Sequence, residues 1–126
     1  VNAVSQANAS LEDDVAVRDL AAEIFEALRA ATTDGVGITR RSYGEGENKA
    51  LDLIEAKARA FGLRVERDAA ANLVVTLKGS DSELPFIACG SHLDSVPKGG
   101  NFDGAAGVVA GLIILAGFKA QKVKLR

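Results

Sequence analysis

The stretch richest in reactive groups is "GSHLDSVPKGGNFDGAAG", residues 90–107, which carries the only histidine of the chain. His92 is followed two positions later by Asp94 and, beyond a glycine-bearing loop, by Asp103. Imidazole and carboxylate together suit a divalent ion such as Zn, Mn, Co or Ni. Each residue also has a plain structural use. A histidine at a strand end is commonly structural, Asp94 fits a turn, and Asp103 before a helix fits an N-cap. Their arrangement favours the chemical reading. If "PFIACGSH" is a strand, His92 stands at its carboxyl end, where open α/β sheets bind ligands. Residues two apart on an extended chain face the same side, so Asp94 can accept the second imidazole N–H and fix the tautomer. Gly99 and Gly100 let the loop fold back. Asp103 then offers an oxygen donor at a helix start, where the dipole favours its ionised form. Its two oxygens can bridge ions about 3.5–4 Å apart.

Rival chemistries fit less well. The loop before the helix lacks the GxxxxGK[ST] pattern of a phosphate cradle and puts a carboxylate where phosphate would sit. Cys89 and His92 could suggest a nucleophile pair, but residues three apart on a strand face opposite ways. Cys89 is therefore expected as a small buried residue. Gly44-x-Gly46 is too short a signal to carry a function.

The elements that must position these groups follow from periodicity. Ser10 and Asp13 mark a helix start. Val17, Leu20, Ala21, Ile24, Leu28 and Ala31 recur at helical spacing, and Asp34-Gly35 ends the run. After the irregular "GVGITRRSYGEGEN", a second helix is expected with Leu51, Ile54, Ala58 and Phe61 on one face, closed by Gly62 in a left-handed cap. Three strands are expected next: "LRVERD", "NLVVTLKG" and "PFIACGSH", the last buried on both faces. Residues 104–118 are apolar nearly all round, which predicts a buried helix. The run is shorter than the roughly 20 apolar residues a membrane span needs. A Gly107-x-x-x-Gly111 spacing and a basic tail are the features that favour an anchor. Helix, strands and buried helix together predict an α/β fold, a sheet flanked by helices.

The composition sets the outer bounds. At 126 residues, 48% of them apolar and 25% charged, the chain has the size and usage of one globular domain. A net charge of −2 provides no basic field for nucleic acid. One cysteine allows no internal disulfide and fits a reducing, cytoplasmic setting. No secretory signal is visible at the N-terminus. The chain opens on Val1 and contains no methionine, which points to a processed start or an incomplete frame.

The segment "GSHLDSVPKGGNFDGAAGVVAGL" resembles the signature of N-carbamoyl-L-amino-acid hydrolases, allantoate amidohydrolases and β-ureidopropionases. These hydantoinase/carbamoylase-type amidases are a branch of the co-catalytic zinc-peptidase superfamily. Upstream, "GVGITRRSYGEGENKALDLIEAKARAFGLRVERDAAANLVV" resembles their N-terminal part, and the short His-to-Asp103 spacing favours this branch over the peptidases. The resemblance implies part of a three-layer α/β/α metallohydrolase domain over residues 11–126, after a flexible stretch 1–10. It implies His92 as ligand to one ion and Asp103 as bridge between two. Asp94 would support His92, with Gly100 and Gly104 shaping the loop. It further implies two divalent ions per complete site, a small N-carbamoyl amino acid or ureido substrate, no nucleic-acid or membrane partner, and a homodimer formed through a separate domain. The reaction implied is hydrolysis of a linear amide or ureido C–N bond, with a glutamate moving the proton. An adjacent Glu-Glu pair and two further histidines belong to the pattern and do not occur in these 126 residues. The expectation is an incomplete chain with a partial dinuclear site. The alternative is a non-catalytic remnant or interaction module that keeps the first half of the fold.

Overall fold

A computed structural model describes residues 14–126. The helix-start signals Ser10 and Asp13 lie outside these residues. Helix α1 spans Asp14–Thr32 and turns Ile24, Leu28 and Thr32 inward. The buried Thr32 hydroxyl is satisfied by donating to the Leu28 carbonyl at 2.7 Å. Beyond it Gly35 takes φ +87°. Asp34 organises the reversal by accepting from the N–H groups of Val36 at 3.0 Å and Gly37 at 2.9 Å, and from the Thr39 hydroxyl at 2.5 Å. Those three bonds hold its carboxylate down at about 2, the Thr39 hydroxyl being the largest cause.

Helix α2 spans Glu45–Ala60, with Ala50, Ile54 and Ala58 buried. It ends as its sequence predicts. Gly62 is left-handed at φ +71°, its N–H reaches the Arg59 carbonyl, and the Leu63 N–H reaches that of Ala58. That pair of bonds satisfies carbonyls the helix would otherwise leave open. The chain then passes into β1 (Arg64–Arg67) and β2 (Leu73–Thr76), an antiparallel pair with Val65 opposite Val75. Asp68 caps the connecting turn by accepting from Ala70 and Asn72. Arg67 ties the hairpin to α2 through Glu55 at 2.9 Å and Asp52 at 2.6 Å.

Helix α3, Ala105–Ala120, buries Ala105, Val109, Leu112 and Ala116. The expected all-round burial does not occur. One stripe meets α1 and α2, while Ile114 is half exposed. Among the described residues no helix is long and apolar enough to cross a membrane. Leu28, Ile54, Val65, Leu93 and Val109 belong to one continuous core, each fully buried aliphatic side chain contributing about 1.5–3 kcal/mol.

The third expected strand is where the structure departs most from the periodicity. "PFIACGSH" forms no ladder, residues 81–92 are exposed throughout, and Ile87 is 100% accessible. A strand buried on both faces needs neighbours that pair its backbone and cover its side chains. Among the described residues neither is present. Cys89, expected to be buried, is exposed for the same reason. The chain is thus a partial α/β domain, helices packed around a two-stranded sheet.

Candidate metal centre

The loop after the exposed run is ordered by contacts from far upstream. Arg40 pairs with Ser95 through its own backbone, accepting from the Ser95 N–H at 2.7 Å and donating to the Ser95 hydroxyl at 3.0 Å. Its side chain is fully buried. The guanidinium donates to the Leu93 carbonyl at 2.5 Å and to the Asn101 side-chain and backbone oxygens at 3.2 and 3.3 Å. Burial pulls the guanidinium below its ordinary range, and the charge of Asp94 opposes that shift. One planar fork thereby fixes both ends of the 93–101 loop. Asn101 is in turn anchored by donating to the Phe25 carbonyl in α1 at 2.9 Å. Ile38 bridges to Gly99 and completes the seat.

His92 and Asp94 do face the same side. The His92 Nδ1 lies 3.0 Å from Asp94 Oδ1 and 3.1 Å from the Asp94 carbonyl. Both of those oxygens only accept, so Nδ1 carries a proton and Nε2 is the nitrogen left for another partner. The other carboxylate oxygen of Asp94 accepts from the Ser42 hydroxyl at 2.5 Å. That bond is the main cause holding Asp94 below the usual carboxylate range. The neighbouring His92 adds to the shift and partial burial opposes it.

Gly104, the residue after Asp103, is packed against His92. A Cβ built on Gly104 would lie 2.4 Å from the His92 carbonyl oxygen and 2.5 Å from the ring Cε1. The N-cap of α3 is Gly104, and no side chain caps the helix. Asp103 therefore does not take the N-cap role its position suggested, and its carboxylate makes no hydrogen bond or ion pair among the described residues. The loop's left-handed residue is Lys98, at φ +56°. At Gly100 an added carbon would meet nothing within 4 Å, so Gly104 is the glycine that shapes this corner.

An imidazole with its rear nitrogen hydrogen-bonded and an unengaged carboxylate eleven residues on are donor types that fit a borderline divalent ion. Among the described residues no group of three or more His, Cys, Asp or Glu side chains converges. A catalytic zinc commonly takes three protein donors, more than His92 and Asp103 provide. Beside it lies a groove of about 260 Å³ bordered by α2, β2, residues 89–93 and the small-residue face of α3. Periodicity did not find Arg40 or Ser42. The available signal was a pair of arginines, Arg40 and Arg41, inside an otherwise glycine-rich loop.

Comparison with known proteins places the chain's sequence and fold among related enzymes. The profile of peptidase family M28 matches residues 72–126. An N-carbamoyl-L-amino-acid amidohydrolase from Paenarthrobacter aurescens is 44% identical over 68% of this chain and 21% of its own length. An allantoate amidohydrolase from Bacillus subtilis is 36% identical over 71% of this chain and 21% of its own. Among solved structures, a hydantoinase/carbamoylase family amidase from Burkholderia ambifaria superposes with a TM-score of 0.77 at 30% identity, covering 86% of this chain and 27% of that one. The chain spans about a fifth of the length of these curated relatives. By sequence and by fold it matches the N-terminal part of the hydantoinase/carbamoylase-type amidases.

Proposed function

We propose that the chain contributes to a metal-dependent amidohydrolase that cleaves linear amide or ureido C–N bonds, of the N-carbamoyl-amino-acid or allantoate type. The observation that carries this reading is the Asp94-ordered His92 packed against Gly104 at the shoulder of Asp103. When bound, a pair of divalent ions supplies Lewis acidity for attack of water on the carbonyl. In this reading His92 would hold an ion through Nε2, Asp94 keeps the proton on Nδ1, and Asp103 would hold the ions as a carboxylate donor. Arg40 holds the loop so that donors need not be ordered when the metal arrives, and Gly104 lets Asp103 approach the imidazole. Gly100 is expected to shape the loop less than Gly104. The remaining donors and the general base lie outside the described residues. A small polar substrate, a homodimer, and a cytoplasmic setting suited to the exposed Cys89 complete the proposal, with residues 11–126 forming the front of the catalytic domain.

The test is hydrolysis of N-carbamoyl amino acids and of allantoate in the presence of Mn²⁺ or Zn²⁺, followed by ammonia release. His92→Ala and Asp103→Ala should abolish the metal-dependent rate of the full gene product. Undiminished turnover in either variant would sink the assignment. A second reading, a non-catalytic module that keeps this half of the fold, is favoured by the donor count. It expects no ammonia from any of these substrates.

A further inference from the structure

We infer that Ser42 is a positioning residue for His92, acting through Asp94. The inference rests on the reading of His92 as a metal ligand for its use, though not for its geometry. Ser42 Oγ donates to Asp94 Oδ2 at 2.5 Å across 52 residues of sequence, and the opposite oxygen, Oδ1, is the one that meets His92 Nδ1 at 3.0 Å. A carboxylate on an irregular loop, with its side chain about one-third exposed, is free to turn its oxygens toward water. The Ser42 hydroxyl removes that freedom by occupying one oxygen, so the other stays aimed at the imidazole.

The hydroxyl is itself placed by a built device. The two-way backbone pairing of Arg40 with Ser95 aligns the 40–42 segment against 93–95, and the buried guanidinium locks the alignment through the Leu93 carbonyl. Leu93, between His92 and Asp94, is buried in the core. Its two polar neighbours are therefore left on the solvent side, opposite Ser42. Without the hydroxyl, His92 Nδ1–H keeps only the Asp94 carbonyl at 3.1 Å as a fixed acceptor. The Nδ1–H form then loses part of its advantage, and the nitrogen offered outward is less uniformly Nε2. Partners of this kind typically change metal affinity about 10–100-fold when removed.

The chain has one histidine, so ¹⁵N spectra of the imidazole report this site without assignment. The experiment compares the ring-nitrogen shifts of the neutral imidazole in wild type, Ser42→Ala and Ser42→Thr, with Zn²⁺ affinity by competition on the same samples. Expected is an Nδ1–H tautomer in wild type, an increased Nε2–H share in Ser42→Ala with Zn²⁺ bound about tenfold more weakly, and recovery of both in Ser42→Thr. Ring shifts that are the same in Ser42→Ala and wild type overturn the inference. His92→Ala is measured separately: Zn²⁺ affinity unchanged in that variant would remove the metal reading, while the tautomer comparison would still decide the role of Ser42.

Discussion

Gly104→Ala is the substitution for which the structure allows the effect to be worked out in most detail. The residue sits at φ +66°, ψ −50°, a region side chains other than glycine's rarely enter, at a cost of about 1–3 kcal/mol. The added Cβ would also lie 2.4 Å from the His92 carbonyl oxygen and 2.6 Å from Nδ1, against a comfortable separation of about 3.5 Å. Something must move by about 1 Å, and overpacking of this kind costs about 1–3 kcal/mol. The sum, about 2–6 kcal/mol, is a large part of the 5–15 kcal/mol or so that a domain typically has. The displaced atoms belong to His92 and to the neighbour of Asp103, and metal distances tolerate only about ±0.2 Å. Gly100→Ala is the internal control, because its Cβ meets open space and a change within about 0.5 kcal/mol is expected. Thermal unfolding and Zn²⁺ titration of both variants check the reasoning. Gly104→Ala should lower the melting temperature by about 10–20 °C and reduce Zn²⁺ affinity beyond what partial unfolding explains. If the two variants melt and bind alike, the close approach of Gly104 to His92 is not what holds this corner.

Two further outcomes follow from the loop. Arg40→Lys keeps the charge but replaces a planar fork by a point donor. Leaving the Leu93 and Asn101 oxygens poorly met should cost about 1–3 kcal/mol, read as a lower urea midpoint, and an unchanged midpoint would argue against the clamp. Asp34 has a folded value of about 2 against 3.8 for the free group. A depressed carboxylate stabilises the fold above its unfolded value and loses that contribution as pH falls through the folded one. Stability should therefore decline between about pH 4 and 2, and the Val36 and Gly37 amide shifts should titrate near the lower value. A midpoint near 4 would mean the three bonds to Asp34 do not form.

How much of this was legible in the sequence depended on how local each signal was. The second helix and its Gly62 ending could be read directly, because spacing and cap lie within one short segment and the bonds that close it run between residues 58 and 63. The strands β1 and β2 were legible for the same reason, in short runs of alternating or β-branched residues, while their antiparallel pairing was not part of that reading. "PFIACGSH" was not, because its apolar run implies strand neighbours that must come from elsewhere in space. The apolar run of α3 likewise gave the helix but not the buried stripe, which is set by what α1 and α2 cover. At the site, the His92–Asp94 pairing was readable from a two-residue spacing. The partners supplied by Arg40 and Ser42 come from 52 to 61 residues away, and no local pattern announces them. Asp103 was expected as a cap or a metal donor, and the helix it precedes begins without its help.

The exposed run that ends at His92 also bears on how the chain is handled in a cell. Phe86 and Ile87 stand open to solvent, and exposed apolar chain of this kind associates unless another segment covers it. The imidazole lies five residues on from Ile87 and borders the groove together with Cys89, Gly90 and Ser91. A segment that pairs with residues 86–91 and covers their side chains would also close over the wall of the groove formed by residues 89–93, so shielding the run and limiting access to the imidazole are linked.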